Sequence, residues 1–173
     1  MPLIKSSDAD FFIRHASPDD ADLVVHYMQK LGAYQRMADK ITATGPQIRQ
    51  LLTDGLGEAI FGVHKGEVVG FAFFCQKSSA FTGRSGLYID GFLVDDQVRN
   101  LGYGKIIIGY LCKLALSRNC QMMEWGVLDW NVPTIAFYRK LGAYSVDDMT
   151  IYRFTPDNLA THALFFDTGV DRI

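Results

Sequence analysis

Three β-rich runs separated by tight turns, followed at once by a stretch with helical spacing, restrict this chain to a fold that mixes α and β. Ala59 to Val63 and Glu67 to Cys75 flank His64-Lys65-Gly66, a hairpin turn in which Gly66 supplies the dihedrals that other residues resist. Gly86 to Val94 reads as the next strand. The period then changes: Ile107, Leu111, Leu114 and Ala115 fall at helical spacing, and Met122 to Leu128 again suits a strand. The order is an antiparallel meander leading into a β-α-β unit. Upstream, Phe11 to Arg14 predicts a strand. Ser17 predicts the cap of a helix running to about Leu31, and a second helix spans Pro46 to Leu52. Downstream, Pro133 to Leu141 predicts a short helix ending at Gly142. Ile151 to Phe154 predicts a last strand, and Pro156 to Ile173 forms a tail with no assigned element.

At 173 residues, 49% of them hydrophobic, the chain is long enough for one sizeable core, and no repeat or linker divides it. A single domain with one active site is expected. The net charge of -2 is scattered and leaves no basic stripe for a nucleic acid. The start, Met1-Pro-Leu-Ile-Lys5, has no apolar stretch behind a basic segment, and no apolar run reaches membrane-spanning length. These features predict a cytoplasmic protein with neither nucleic acid nor membrane as partner. Cys75, Cys112 and Cys120 are widely spaced in apolar surroundings and read as reduced core residues; the four histidines form no metal-ligand pair, so no metal is expected.

The segment richest in chemistry is Asp90-Gly-Phe-Leu-Val-Asp-Asp-Gln-Val-Arg-Asn-Leu-Gly-Tyr-Gly-Lys105, a strand that passes through a loop into a glycine-bearing helix start. Helix N-termini offer unpaired N–H groups and the positive end of a dipole, and glycines there let an anion approach the backbone. Arg99 and Lys105 add positive charge. The third glycine of a dinucleotide fingerprint is here Ile107, and Gly104-Lys105 is followed by Ile106 rather than Ser or Thr, so NAD and ATP loops are both excluded.

Arg99-Asn-Leu-Gly102-Tyr-Gly104 resembles the pyrophosphate loop of the GNAT N-acetyltransferase superfamily, and Leu128-Asp-Trp-Asn131-Val-Pro133-Thr-Ile-Ala-Phe137-Tyr138-Arg-Lys-Leu-Gly142-Ala resembles its second motif. Leu31-Gly-Ala-Tyr34-Gln-Arg-Met37, Asp54-Gly-Leu-Gly-Glu58 and Val69-Gly-Phe-Ala-Phe73 are similar to the spermidine/spermine and thialysine branch; the likeness spans roughly residues 11 to 154. The resemblance implies an α+β fold: a central, mostly antiparallel sheet flanked by helices, with a splayed strand pair forming an acetyl-CoA cleft. It further implies that main-chain groups of Phe92, Leu93 and Val94 hold the pantetheine. Arg99, Asn100, Leu101, Gly102, Tyr103, Gly104 and Lys105 would hold the pyrophosphate, with Asn131 and Tyr138 on the opposite wall. A homodimer, with the apolar tail around Leu164-Phe-Phe166 in its interface, follows by the same analogy.

An alkyl ammonium titrates near 10.4, so freeing the amine at pH 7 costs roughly 4 to 5 kcal/mol unless the site takes the proton. Asp90 stands where the branch carries a glutamate and is the implied base. Tyr138 matches the acid that protonates the leaving thiolate, while N–H groups near Leu93 and Val94 would stabilise the oxyanion by about 2.7 to 4 kcal/mol. The acceptor side would comprise Tyr34, Gln35, Phe81, Asp90, Glu124, Trp125 and Gly126. Here the sequence departs from the polyamine branch, since Gln35, Gly91 and Thr150 replace usual acids, leaving Glu124, Asp129, Asp147 and Asp148. The expected activity is acetyl transfer to a primary amine of a small molecule, a diamine, polyamine or thialysine-like amino acid. Acetylation of a protein N-terminus or lysine, and a non-catalytic acyl-CoA sensor, are the alternatives.

Overall fold

Strands buried on both faces build the core from the centre of the sheet outward, with Ala59 to Val63 and Val69 to Ala72 continuously buried. The computed structural model describes residues 3–146 and 150–168. Its strands are β1 (Ile4–Lys5), β2 (Phe11–His15), β3 (Glu58–His64), β4 (Glu67–Ser79), β5 (Arg84–Val94) and β6 (Met122–Trp125). The helices are α1 (Ala21–Tyr34), α2 (Gly45–Thr53), α3 (Tyr103–Ser117), α4 (Val132–Lys140) and α5 (Pro156–Thr168). The six strands lie in sequence order; β1 to β5 are antiparallel neighbours, and β6 joins β5 in parallel after the α3 crossover. The meander and β-α-β unit expected from hydrophobic period are both present. None of the described helices is long and apolar enough to cross a membrane.

The described residues fall into two compact units divided between Ile135 and Ala136, within α4. In the first, α1 and α2 cover one sheet face, where Val24, Tyr27, Leu31 and Ile48 pack with Ala59, Phe61, Phe71 and Leu93. The opposite face carries α3. There Tyr103 stacks on Phe11 with ring centroids 4.1 Å apart, and Ile107 lies so close to Gly70 that a Cβ would stand 2.7 Å from its Cδ1. Burying such faces at about 25 cal/mol per Å² is what holds helix to sheet.

Several boundaries differ from expectation, each for a local reason. Ser17 caps a 3-10 turn (Pro18–Asp20) rather than the α-helix itself, which begins at Ala21. Its N–H and hydroxyl both donate to Asp20, at 2.8 and 3.0 Å. The predicted strand Met122 to Leu128 stops at Trp125, where pairing with β5 ends. Ile151 to Phe154 is not a strand: among the described residues it pairs with none. The tail instead forms α5, whose start is fixed by Pro156 and by Thr155 Oγ1, which accepts the Asn158 N–H at 3.3 Å. Cys112 is exposed on α3, unlike buried Cys120, so it is not a core residue. Asp147 and Asp148 lie outside the described residues, as do the side chains of Phe165 and Phe166; Leu164 is exposed.

Candidate functional site

β5 pairs with β4 along its whole length but with β6 only from Gly86 to Ile89. Beyond that point Asp90 to Val94 run on with no described strand on that edge, so their outward main-chain groups are left for something other than sheet pairing. A β-bulge marks the same place. Phe73 faces Gly91 while the next residue, Phe74, faces Ile89, which leaves Asp90 as the extra, unpaired residue. The bulge turns Asp90 out to solvent, with Gly91 and Leu93 buried and Phe92 and Val94 half-buried.

After β5 the chain turns through Asp95 and Asp96. Asp95 is anchored from three sides: its N–H donates to Val69 O at 2.9 Å, Lys30 Nζ pairs with it at 2.5 Å, and the Tyr27 hydroxyl lies 3.3 Å away. Burial, followed by the Asp95 charge, pushes the Tyr27 phenol well above its ordinary range, so it stays protonated and donates to Val68 O at 2.7 Å. This fixes the base of the loop that ends in Asn100 and Gly102, both left-handed with φ of 67° and 87°. Gly102 is the N-cap of α3, and no side chain caps that end. The first intrahelical bond is Ile106 N–H to Gly102 O at 3.1 Å, so the N–H groups of Tyr103, Gly104 and Lys105 precede it. A Cβ on Gly102 would have nothing within 4 Å, which makes the approach to these donors open. Leu101 and Lys105 are exposed beside it. Tyr103 is different: its ring is buried and its hydroxyl lies 2.7 Å from His64 Nδ1, so only its main chain faces the helix end.

Tyr34, the last residue of α1, ties the two sides of the opening together. Its ring lies under the Arg99 guanidinium, 4.9 Å from the centroid, and its hydroxyl donates to Asn131 Oδ1 at 3.2 Å. Asn131 is 4% exposed, and its main chain starts α4 by accepting the Ile135 N–H at 3.0 Å. Arg99 also pairs with exposed Asp96 at 2.5 Å. Three residues singled out separately from sequence, Tyr34, Arg99 and Asn131, are therefore one connected set. Sequence reasoning missed its extension: Trp130 sits 6.4 Å from the Tyr34 ring, and the Arg36 guanidinium lies 5.1 Å over Trp130.

The other acceptor-side residues are dispersed. Gln35 is half-buried as the C-cap of α1, and Trp125 and exposed Gly126 close β6. Glu124 is engaged by Lys77 from β4, whose ammonium also lies 5.8 Å from the Tyr88 ring. Phe81 is fully exposed at the β4–β5 turn. Tyr138 belongs to the second unit, where it is buried, packs its ring 5.3 Å from that of Phe137, and accepts at its carbonyl the Ala143 N–H that ends α4.

The Acetyltransferase (GNAT) family pattern matches residues 23–143. The L-ornithine N5-acetyltransferase of Arabidopsis thaliana is 30% identical over 114 residues, 66% of this chain and 47% of that protein, so the chain spans about half that relative's length. The thialysine N-epsilon-acetyltransferase of Sus scrofa is 28% identical over 148 residues, 78% of this chain and 85% of that protein. Among solved structures, an integron cassette protein from the mobile metagenome of V. cholerae matches with a TM-score of 0.72 at 23% identity, covering 90% of this chain and 99% of its own, which is a likeness of fold. With the sheet, the parting of β5 from β6 and the family pattern in agreement, the chain belongs to the GNAT acetyltransferase family, whose co-substrate is acetyl-CoA.

Proposed function

We propose that this protein transfers an acetyl group to a primary amine of a small molecule. The observation that carries the reading is the pairing of an unaccompanied strand edge, Asp90 to Val94, with an open, uncapped helix start at Gly102. The donor set suits a pyrophosphate: successive N–H groups of Tyr103, Gly104 and Lys105, the Lys105 ammonium and the Arg99 guanidinium. Arg99 is held by Asp96 in an exposed pair of the kind worth about 0 to 1 kcal/mol, little enough for a phosphate to displace. Acetyl-CoA, when bound, supplies the acetyl group as a thioester, so the transfer forms one C–N bond and breaks one C–S bond.

The Asp90 carboxylate takes the proton that the attacking ammonium must lose, and the bulge serves this by presenting it to solvent at the mouth of the strand edge. The main-chain N–H of Val94, which strand alternation turns to the free edge while that of Leu93 faces β4, donates to the oxygen on which charge develops. The Tyr138 phenol returns a proton to the departing sulfur, a role supported by its place after Asn131 and Pro133 in the second motif. The two relatives are named for amino acids bearing a side-chain amine, and this supports a small amine as acceptor.

Thiol release from acetyl-CoA across polyamines, diamines, thialysine, amino acids and a peptide mixture tests the reading. Turnover on a small-amine class is expected, with kcat lowered about 100-fold or more in Tyr138→Phe, the span of general acid catalysis. Acetyl-CoA binding without turnover on any small amine would overturn it.

A further inference from the structure

The helix α1 ends in a hydrogen-bond pattern that normally asks for glycine. Met37 N–H donates to Gly32 O at 2.8 Å and Arg36 N–H to Ala33 O at 3.2 Å, the paired bonds of a Schellman end. The residue in the left-handed position, φ 58°, is Arg36. Left-handed backbone costs a residue with a Cβ roughly 1 kcal/mol or more relative to glycine. The strain is spent on placing one side chain. The Arg36 guanidinium lies 5.1 Å over the face of Trp130, and among the described residues no carboxylate pairs with it. A guanidinium stacked on an indole keeps its N–H fork in plane, pointed outward and preorganised for a two-oxygen partner.

Position supplies the rest. A Cβ on Gly91 would stand 3.5 Å from Leu31, so α1 runs alongside the bulge that presents Asp90. Tyr34 lies one turn, about 5 Å, further along the helix, and the Arg36–Trp130 pair follows it. The acceptor side keeps little to hold a second ammonium. Gln35 and Gly91 carry no charge and Glu124 is neutralised by Lys77, which leaves exposed Asp129, next to Trp130, as the described acid of this side, besides Asp90, without an ion-pair partner among the described residues. A diamine entering amine-first would bring its other cation alone toward Arg36, whereas a diamino acid would bring that same ammonium with a carboxylate beside it.

From this we infer that Arg36 is a specificity residue that reads the carboxylate of an amino-acid acceptor while Asp90 receives its side-chain ammonium. The inference rests on the small-amine reading above and names the substrate class and the residue that selects it. L-Ornithine and 1,4-diaminobutane differ only by the carboxylate, so their ratio of kcat/KM isolates the contact. The protein is expected to favour ornithine, and Arg36→Gly to reduce that ratio about 10- to 100-fold through KM, the range for a hydrogen bond to a charged group. Arg36→Lys, which keeps the charge without the fork, should recover part of it. Because the left-handed strain that glycine relieves is of the same size as the Arg36–Trp130 contact it removes, Arg36→Gly should unfold within a few degrees of the parent, which separates lost recognition from lost folding. An ornithine-to-diamine ratio that Arg36→Gly leaves unchanged, or a rise in the KM for acetyl-CoA equal with both acceptors, would overturn the inference while leaving acetyl transfer intact. Turnover on neither compound nor any other small amine would remove the reading beneath it as well.

Discussion

Replacing Tyr34 by Phe removes one hydroxyl and leaves the ring that supports Arg99. The hydroxyl donates to Asn131 Oδ1, an acceptor on a residue only 4% exposed. An ordinary hydrogen bond contributes about 0.5 to 1.5 kcal/mol net, and a buried acceptor stranded by losing its donor costs about 1 to 3 kcal/mol. At 3.2 Å the bond is on the long side, and Tyr34 is half-buried, so a loss near the lower bound, about 1 kcal/mol, is expected. For a chain of this size that corresponds to a fall in Tm of about 2 to 4 °C. Because Asn131 also starts α4, the variant should weaken acetyl-CoA binding more than it lowers stability. Denaturant unfolding of Tyr34→Phe, Asn131→Ala and the double variant gives their coupling energy directly. Coupling of roughly 0.5 kcal/mol or more is expected. If the two substitutions add to within about 0.3 kcal/mol, the bond contributes nothing and the picture of Tyr34 as the tie across the opening is wrong.

Two further substitutions probe the anion loop and the start of α1. Gly102→Ala puts a methyl on left-handed backbone with nothing within 4 Å, so it should cost about 1 kcal/mol of stability through strain alone; titration calorimetry should show acetyl-CoA affinity falling by more than that, since the methyl stands before the open N–H groups. Asp20 accepts two bonds from Arg14, at 2.8 and 3.0 Å, besides those from Ser17. Burial pushes its carboxyl up, but the Arg14 and Ser17 donors outweigh this and hold it below the usual carboxylate range. A depressed folded value means stability that is present above the unfolded value of about 3.9 and is lost as pH falls through the folded one. Asp20→Asn should therefore lower Tm at pH 7 and converge with the parent in acid; a Tm gap that is constant with pH would refute the assignment.

What the sequence makes legible is what is local. The turn at Lys65-Gly66, the strand-to-helix passage at Gly102 and the end of α4 at Gly142 all have left-handed residues where glycine or a turn was read. What it hides depends on partners. Ile151 to Phe154 has strand composition, yet a strand exists only when paired with another, and this segment pairs with none of those described. Residues 126–128 are lost from β6 for the same reason, since β5 has bulged away at Asp90. The α5 start was within reach through Thr155-Pro156, a cap followed by proline at the first helical position. Arg36 was out of reach, because an arginine in a glycine position leaves no mark in a sequence read for glycines.

The bulge also bears on one of the three missing acids, the one at 91. It gives Asp90 and Gly91 opposite fates: Asp90 turns to solvent, while a Cβ on Gly91 would stand 2.8 Å from Met28 Sδ and 3.4 Å from the Phe71 ring. An acid at 91 would thus push into the apolar contact between α1 and the sheet, where a charge without a partner costs several kcal/mol. The absence of a side chain at 91 goes with the close approach of α1 at Met28, and the same helix carries Tyr34 as its last residue and Arg36 just past its end. On the inference above, the helix that packs against Gly91 ends in a cation, Arg36, that would suit a carboxylate.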